Sequence, residues 1–294
     1  MPEPPIPGKT KRTMNHDHFD NLLAKALDNR GRIMALTGAG ISAESGIPTF
    51  RGPEGYWTVG SRVYQPQEMA TGTMFRKNPK AVWQWYLYRL GVCRRAQPNA
   101  GHKALVELGQ AFADRFTLVT QNVDNLHLRA GQGLDATYQI HGNIEYVRCA
   151  NECRRQIAQM PSGLTVKTRN QDISAAEWPL LHCNHCGGLL RPHVLWFDES
   201  YDERYFHLES TLAAARKTTL LIIVGTSGTT NLPGLVVAEV HRHGGVILDI
   251  NIEPNEFGSM MDGYPLGISL RQPAAQALPW LTRHIIKIDR ERKV

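Results

Sequence analysis

The sequence predicts an α/β fold: a Rossmann-like, doubly wound parallel sheet with a small cysteine-bearing module and a helical insert. Three observations lead there. Short, wholly apolar runs such as Leu220-Leu221-Ile222-Ile223-Val224 read as strands covered on both faces, as a parallel sheet between helix layers requires. These runs alternate with stretches of helical period, the pattern of βαβ units. Each run ends in a polar or glycine turn, and open parallel sheets bind ligands outside the carboxyl ends of their strands.

The 294 residues suffice for one large domain with a smaller insert. A hydrophobic content of 42% with 20% charged residues is that of an ordinary globular protein. No apolar run reaches the length of a membrane span. The net charge of +6 is scattered, with only small clusters such as Arg94-Arg95 and Arg154-Arg155. It reads as a solvated basic surface that also suits a polyanionic cofactor. Five cysteines, an odd number without a secretory signal, argue against a disulfide framework and for a reducing, cytoplasmic setting. No membrane partner and no specific nucleic-acid partner are expected, and the chain is expected to be a monomer.

Along the chain, residues 1–17 are rich in proline and read as a disordered extension. An amphipathic helix at 19–27 leads into the first strand, 32–37. Gly38 and Gly40 then form a tight turn in which the backbone can approach a ligand closely. Ser42 or Ala43 opens a helix whose N–H groups suit a pyrophosphate. Ala43 takes the third glycine's place in G-x-G-x-x-G, so the turn departs from the standard dinucleotide fingerprint. Pro48-Thr49-Phe50-Arg51-Gly52 reads as a loop closing over a ligand, and 52–73 as an irregular, aromatic-lined region. Asn78-Pro79 is an N-cap followed by proline at the first helical position, opening an aromatic helix through Leu90. Pro98-Asn99 starts another helix over 101–114. Further strands are expected at 116–120, 136–140 and 220–224, and a last one at 246–250. Their endings at 120–125, 141–142, 225–228 and 251–253 would line one crevice with the glycine turn.

Four cysteines fall in two knuckles, Cys149-x3-Cys153 and Cys183-x2-Cys186, with 29 residues between them. Four thiolates are a preferred tetrahedral shell for structural zinc. The first knuckle is one residue longer than usual. The polar, loop-like surroundings disfavour buried free thiols, and His182 and His185 are minor alternative ligands. Gln121, Asn122, Asp124 and His141 form a second constellation. An amide pair can hold a carboxamide or ribose hydroxyl, and a histidine at a strand end can take a proton at neutral pH.

Taken together these motifs resemble the sirtuins in order and spacing, from about residue 30 to about 285. The resemblance rests on Gly38-Ala39-Gly40-Ile41-Ser42, Pro48-Thr49-Phe50-Arg51, Thr120-Gln121-Asn122-Val123-Asp124-Asn125-Leu126-His127 and His141-Gly142. It continues through the two knuckles, Arg191-Pro192-His193-Val194-Leu195-Trp196-Phe197, Gly225-Thr226-Ser227 and Asn251. It implies an NAD-dependent protein-lysine deacylase acting on acyl-lysine side chains of protein substrates. The NAD-binding domain would comprise 18–53, 98–145 and 191–290. An insert at 54–97 would line the acyl pocket, and 146–190 would be the zinc module. By the same resemblance Ala39, Ser42, Thr226, Ser227 and Asn251 would hold the ADP part of NAD, with Gly38, Gly40 and Gly225 shaping its turns. Phe50 and Arg51 would lie on the flexible loop, and Gln121, Asn122 and Asp124 at the nicotinamide end. Val194, Trp196 and Phe197 would bind substrate, and His141 would be the general base. The implied reaction releases nicotinamide and yields free lysine and acyl-ADP-ribose.

The aromatic helix carries the reading further. Tyr86 and Arg89 lie three apart and share a face. A guanidinium and a phenol at the end of a pocket would bind a terminal carboxylate, and Ala70 would leave room for a longer chain. These three positions resemble those of the sirtuin subgroup that removes succinyl, malonyl and glutaryl groups. Phe197-Asp198-Glu199 departs from the family's common Phe-Gly-Glu, and Asp198 is expected to favour basic flanking sequence. Two rivals are weighed. A mono-ADP-ribosyltransferase would use the same NAD site. A zinc-ribbon nucleic-acid binder would need a basic stripe and stacking aromatics beside the knuckles, which are missing.

Overall fold

The computed structural model describes residues 16–49 and 56–292. Helix α1 (His16–Leu27) precedes β1 (Arg32–Thr37) and the single-turn α2 (Gly40–Ala43). A hairpin of β2 (Trp57–Val59) and β3 (Arg62–Tyr64) follows, then α3 (Pro66–Met69), α4 (Gly72–Lys77) and α5 (Pro79–Arg95). Next come α6 (Ala100–Phe112), β4 (Phe116–Thr120), α7 (Leu126–Arg129), β5 (Thr137–Gln139), β6 (Gly142–Cys149), β7 (Ile157–Gln159) and β8 (Leu190–Val194). The chain finishes with α8 (Glu203–Phe206), α9 (Leu208–Ala215), β9 (Thr218–Val224), α10 (Asn231–Arg242), β10 (Val246–Ile250), α11 (Glu256–Met261), β11 (Gly267–Leu270) and α12 (Ala274–Glu291).

The main sheet has six strands in the order β11-β10-β9-β1-β4-β5, all parallel. From β1 the chain winds outward through β4 to β5. It then returns to the other side of β1 and winds outward again through β9, β10 and β11. The reversal lies between β1 and β9, which opens a crevice at their carboxyl ends.

Side chains alternate between the sheet's faces, so each apolar strand serves two cores. Ile33 and Ala35 of β1, with Leu220, Ile222 and Val224 of β9, pack under α1, α6 and α12 against Phe19, Leu23, Leu105, Leu281 and Ile285. Met34 and Leu36, with Leu221 and Ile223, pack on the other face against Val236, Val237 and Val240 of α10. Burying each such side chain contributes about 1.5–3 kcal/mol. This double burial is why the strands read as unbroken apolar runs.

Three expectations need correction. The helix after the glycine turn starts at Gly40 and is one turn long, so its dipole is small. Within 52–73 the described residues hold a hairpin and two short helices, one entered by a capping box between Gln65 and Glu68. The strand at 246–250 is not the last. Gly267–Leu270 adds a sixth, an edge strand whose residues are mostly only half covered and therefore carry no apolar signature.

A second, antiparallel sheet β7-β6-β8 carries the cysteines. A third core joins it to α5: Trp83, Leu87 and Leu90 pack with Ile144, Val147, Leu164, Leu181 and Trp196. No helix among the described residues is long and apolar enough to cross a membrane.

Candidate functional site

At the reversal the two glycine turns lock together. Gly38 donates its amide to Val224 O at 2.9 Å, and Gly40 donates to Gly225 O at 2.8 Å. A Cβ on Gly40 would stand 2.6 Å from Gly225 Cα, and one on Gly38 2.7 Å from Thr226 Cβ. Gly225 itself has φ +60°, a conformation that favours glycine. The glycines therefore fit β1's turn against β9's, and Ala39, Gly40, Gly225 and Ser227 stay partly exposed at the crevice.

Below them the polar residues form one network. The Ser42 hydroxyl donates to Asp124 Oδ2 at 2.7 Å and accepts from Asn122 Nδ2 at 3.1 Å. Asn122 also donates to Gly38 O, and Asp124 accepts from the Leu126 amide. Burial raises the Asp124 carboxyl, against the pull of those two donors. Ser42 and Asp124 are thus buried, facing each other, while Asn122 and Gln121 remain half-exposed. Gln121 donates to Thr226 Oγ1 at 2.9 Å, tying the end of β4 to that of β9.

Sequence reasoning gave no role to two histidines beneath this network. His102 Nε2 lies 3.4 Å from Ser42 Oγ, and His127 Nε2 3.0 Å from Thr37 Oγ1. Both rings are buried and pack at 4.8 Å between centroids. Burial lowers the first to about 4 and the second well below its ordinary value, so both are neutral. The spacing Asn99-x-x-His102, a capping box closed by the ring, was a usable signal.

His141 follows β5 and borders the crevice. Its Nε2 lies 2.7 Å from Tyr201 Oη, and the backbone of Gln121 bears on the ring from β4. Burial lowers His141 to about 4, although the Gln121 backbone opposes this, so the ring is neutral and able to accept a proton. At the far strand, Asn251 donates to Asp249 Oδ1 at 2.5 Å. Asp249 is fully buried in β10 and also accepts from Asn255 and Arg271 at 3.1 and 3.2 Å. A carboxylate inside an apolar strand needs such partners, which was its signal in the sequence. Phe50 and Arg51 lie outside the described residues.

The expected acyl-pocket residues largely come together. Ala70, Tyr86, Val194 and Trp196 are buried in one core. The Tyr86 hydroxyl accepts from Trp196 Nε1 at 3.0 Å, and burial raises this phenol strongly, so it keeps its proton. Arg89 is half-buried, its guanidinium carbon 5.2 Å from the Trp85 ring, and its charge bears on Tyr86. Phe197 is exposed, with its amide bonded to Ala70 O at 2.9 Å. Asp198 is exposed, but its carboxylate oxygens are engaged within the chain rather than left free for flanking sequence. It accepts from the amides of Gly72 and Thr73 at 2.7 and 3.0 Å, and from the Thr73 hydroxyl. Burial would raise this carboxyl; the donors outweigh it and hold it below the usual range. Asp198 thus holds the first amides of α4.

Cys149, Cys153, Cys183 and Cys186 converge, all four sulfurs lying within 4.8 Å of one another. Neighbouring pairs stand 3.4, 3.5 and 3.6 Å apart. A tetrahedral shell with Zn–S about 2.3 Å demands about 3.8 Å between sulfurs, so the cluster fits zinc with slight expansion. The Cys186 and His185 amides lie against the Cys183 sulfur and lower its thiol, favouring the thiolate a metal needs. His182 is turned to Trp178 O, outside the cluster.

Residues 38–231 match the family model described as the Sir2 family. An NAD-dependent protein deacylase of Leptospira interrogans is 39% identical over 265 residues, covering 90% of this chain and 97% of that one. One of Pyrococcus furiosus is 37% identical, covering 91% and 98%. Among solved structures, a Sir2 homologue in complex with NAD superposes with a TM-score of 0.75 at 32% identity, covering 94% of this chain and 96% of that one. A variant Sir2 homologue bound to 2′-O-acetyl ADP-ribose gives 0.75 at 33%, covering 93% and 97%. The chain belongs to the Sir2 family.

Proposed function

We propose that this protein is an NAD-dependent protein-lysine deacylase whose acyl pocket reads a carboxylate, removing succinyl or malonyl groups with residual deacetylation. The observation that carries the carboxylate reading is the Tyr86–Trp196 pair. The phenol oxygen is occupied by the indole N–H, so its own proton remains to donate. A protonated phenol beside a guanidinium three residues on is a receptor for a carboxylate, not for a methyl group. Ala70, in the same core, is small enough to leave room for a longer acyl chain.

The crevice residues suit the other substrate. Ala39, Thr226, Ser227 and Asn251 stand at the carboxyl ends of β1, β9 and β10, where the ADP part of NAD would lie. NAD supplies a sugar carbon open to attack once nicotinamide departs. Asn122 and Asp124 fix the nicotinamide end through Ser42, and the neutral His141 takes a proton from a ribose hydroxyl. The four cysteines hold a structural zinc that leaves no open position for catalysis. The reducing conditions such thiolates need agree with a cytoplasmic protein acting on acyl-lysine in other proteins.

Mass spectrometry of the products from NAD and a succinyl-lysine peptide tests this. Free lysine with succinyl-ADP-ribose is expected; ADP-ribose attached to protein would instead establish a transferase.

A further inference from the structure

Tyr201 stands in the segment between β8 and α8, sixty positions from His141 in sequence. Its hydroxyl lies 2.7 Å from His141 Nε2, with ring centroids 5.8 Å apart and planes inclined at 33°. The aromatic body is partly buried and packs against the core formed with α10, so the hydroxyl is held rather than trailing in solvent. The Gln121 backbone at the end of β4 favours the protonated form of the ring, against its burial. With the Tyr201 hydroxyl seated on Nε2, the tautomer that suits the pair leaves the lone pair on Nε2 and the proton on Nδ1. Burial raises the Tyr201 phenol to about 12, which leaves it the proton donor of the pair.

The nitrogen that must accept a proton therefore already has a donor seated on it. We propose that Tyr201 is a positioning residue that holds Nε2 of His141 towards the crevice as a placeholder, and that a ribose hydroxyl of the nucleotide takes its place. The exchange replaces one O–H···N bond by another, so the ring keeps one tautomer and one orientation before and after binding. It rests on the reading of His141 as general base. A hydroxyl in this role must be displaced, so it opposes nucleotide binding while ordering the base.

The test uses the full-length protein with ADP-ribose as probe, which carries the ribose hydroxyls without a leaving group. In wild type, ¹⁵N-histidine spectra should show the Nε2 resonance of His141 in the hydrogen-bonded range, with Nδ1 protonated, both with and without ADP-ribose. In Tyr201→Phe without nucleotide, Nε2 should move towards the free-imine position, and ADP-ribose should restore it. The variant should also bind ADP-ribose about three- to tenfold more tightly, since one intramolecular hydrogen bond no longer opposes binding. An Nε2 resonance unmoved by the substitution, or ADP-ribose affinity unchanged or weakened, overturns the proposal. Wild-type spectra alone decide against it if Nε2 proves protonated. Failure of the base reading shows separately, as near-normal deacylation by His141→Ala.

Discussion

Gly40 hydrogen-bonds Gly225 at 2.8 Å, and a Cβ on Gly40 would stand 2.6 Å from the Gly225 Cα. Two turns from strands nearly two hundred residues apart in sequence thus close on each other, with no room for a methyl group between them. Gly40→Ala should therefore destabilise the fold by at least about 1–3 kcal/mol, as overpacking against backbone does. A urea midpoint matching wild type would show that the turns can part freely.

The purified protein should hold one zinc per chain on Cys149, Cys153, Cys183 and Cys186. Cys183→Ala should lose metal, solubility and activity together, because structural zinc contributes directly to folding. Metal analysis finding active protein without zinc would refute this.

Acyl choice tests the Tyr86–Arg89 pair. Succinyl-lysine should have the higher kcat/KM. Arg89→Met should lower desuccinylation by about 10- to 150-fold, the worth of a charged hydrogen bond at about 1.5–3 kcal/mol. Deacetylation should fall far less, and Tyr86→Phe should act in the same direction more mildly. Equal losses on both substrates would mean that α5 only supports the fold.

Asp198 bonds the first amides of α4. Asp198→Ala should cost about 0.5–2 kcal/mol of stability, the usual worth of a side-chain acceptor for a helix's first amides. Preference for charge in the flanking peptide should stay as it was. A marked change in that preference at unchanged stability would return Asp198 to substrate reading.

Acid should unfold this protein through its histidines. Burial lowers His102 and His141 to about 4 and His193 to about 3, with His127 also well below the ordinary range. In the unfolded chain each would titrate near about 6.5. Between those values the unfolded state binds more protons, so stability is full above pH about 6.5 and falls as pH drops towards 4. Each ring removes up to about 1.4 kcal/mol per pH unit in that window. Urea midpoints that agree at pH 7.5 and pH 5 would contradict it.

The sequence by itself determined the layers and the chemistry. Double burial in a parallel sheet leaves unbroken apolar runs, so β1, β4, β9 and β10 were legible; knuckle spacing likewise announced the four-thiolate cluster. Polar strand endings placed Gln121, Asn122, His141 and Asn251 around one crevice because the carboxyl ends of parallel strands share an edge. Tertiary structure alone decided what each polar group faces. Ser42 and Asp124 turned out to bond each other, and Asp198 to hold the first amides of a helix 126 positions away in sequence. Tyr201 met His141 only because β8 pairs with β6 and brings the segment behind it alongside the end of β5. Hydrogen-bond partners follow distance in space, and a contact across sixty or more residues leaves no periodic trace in the chain.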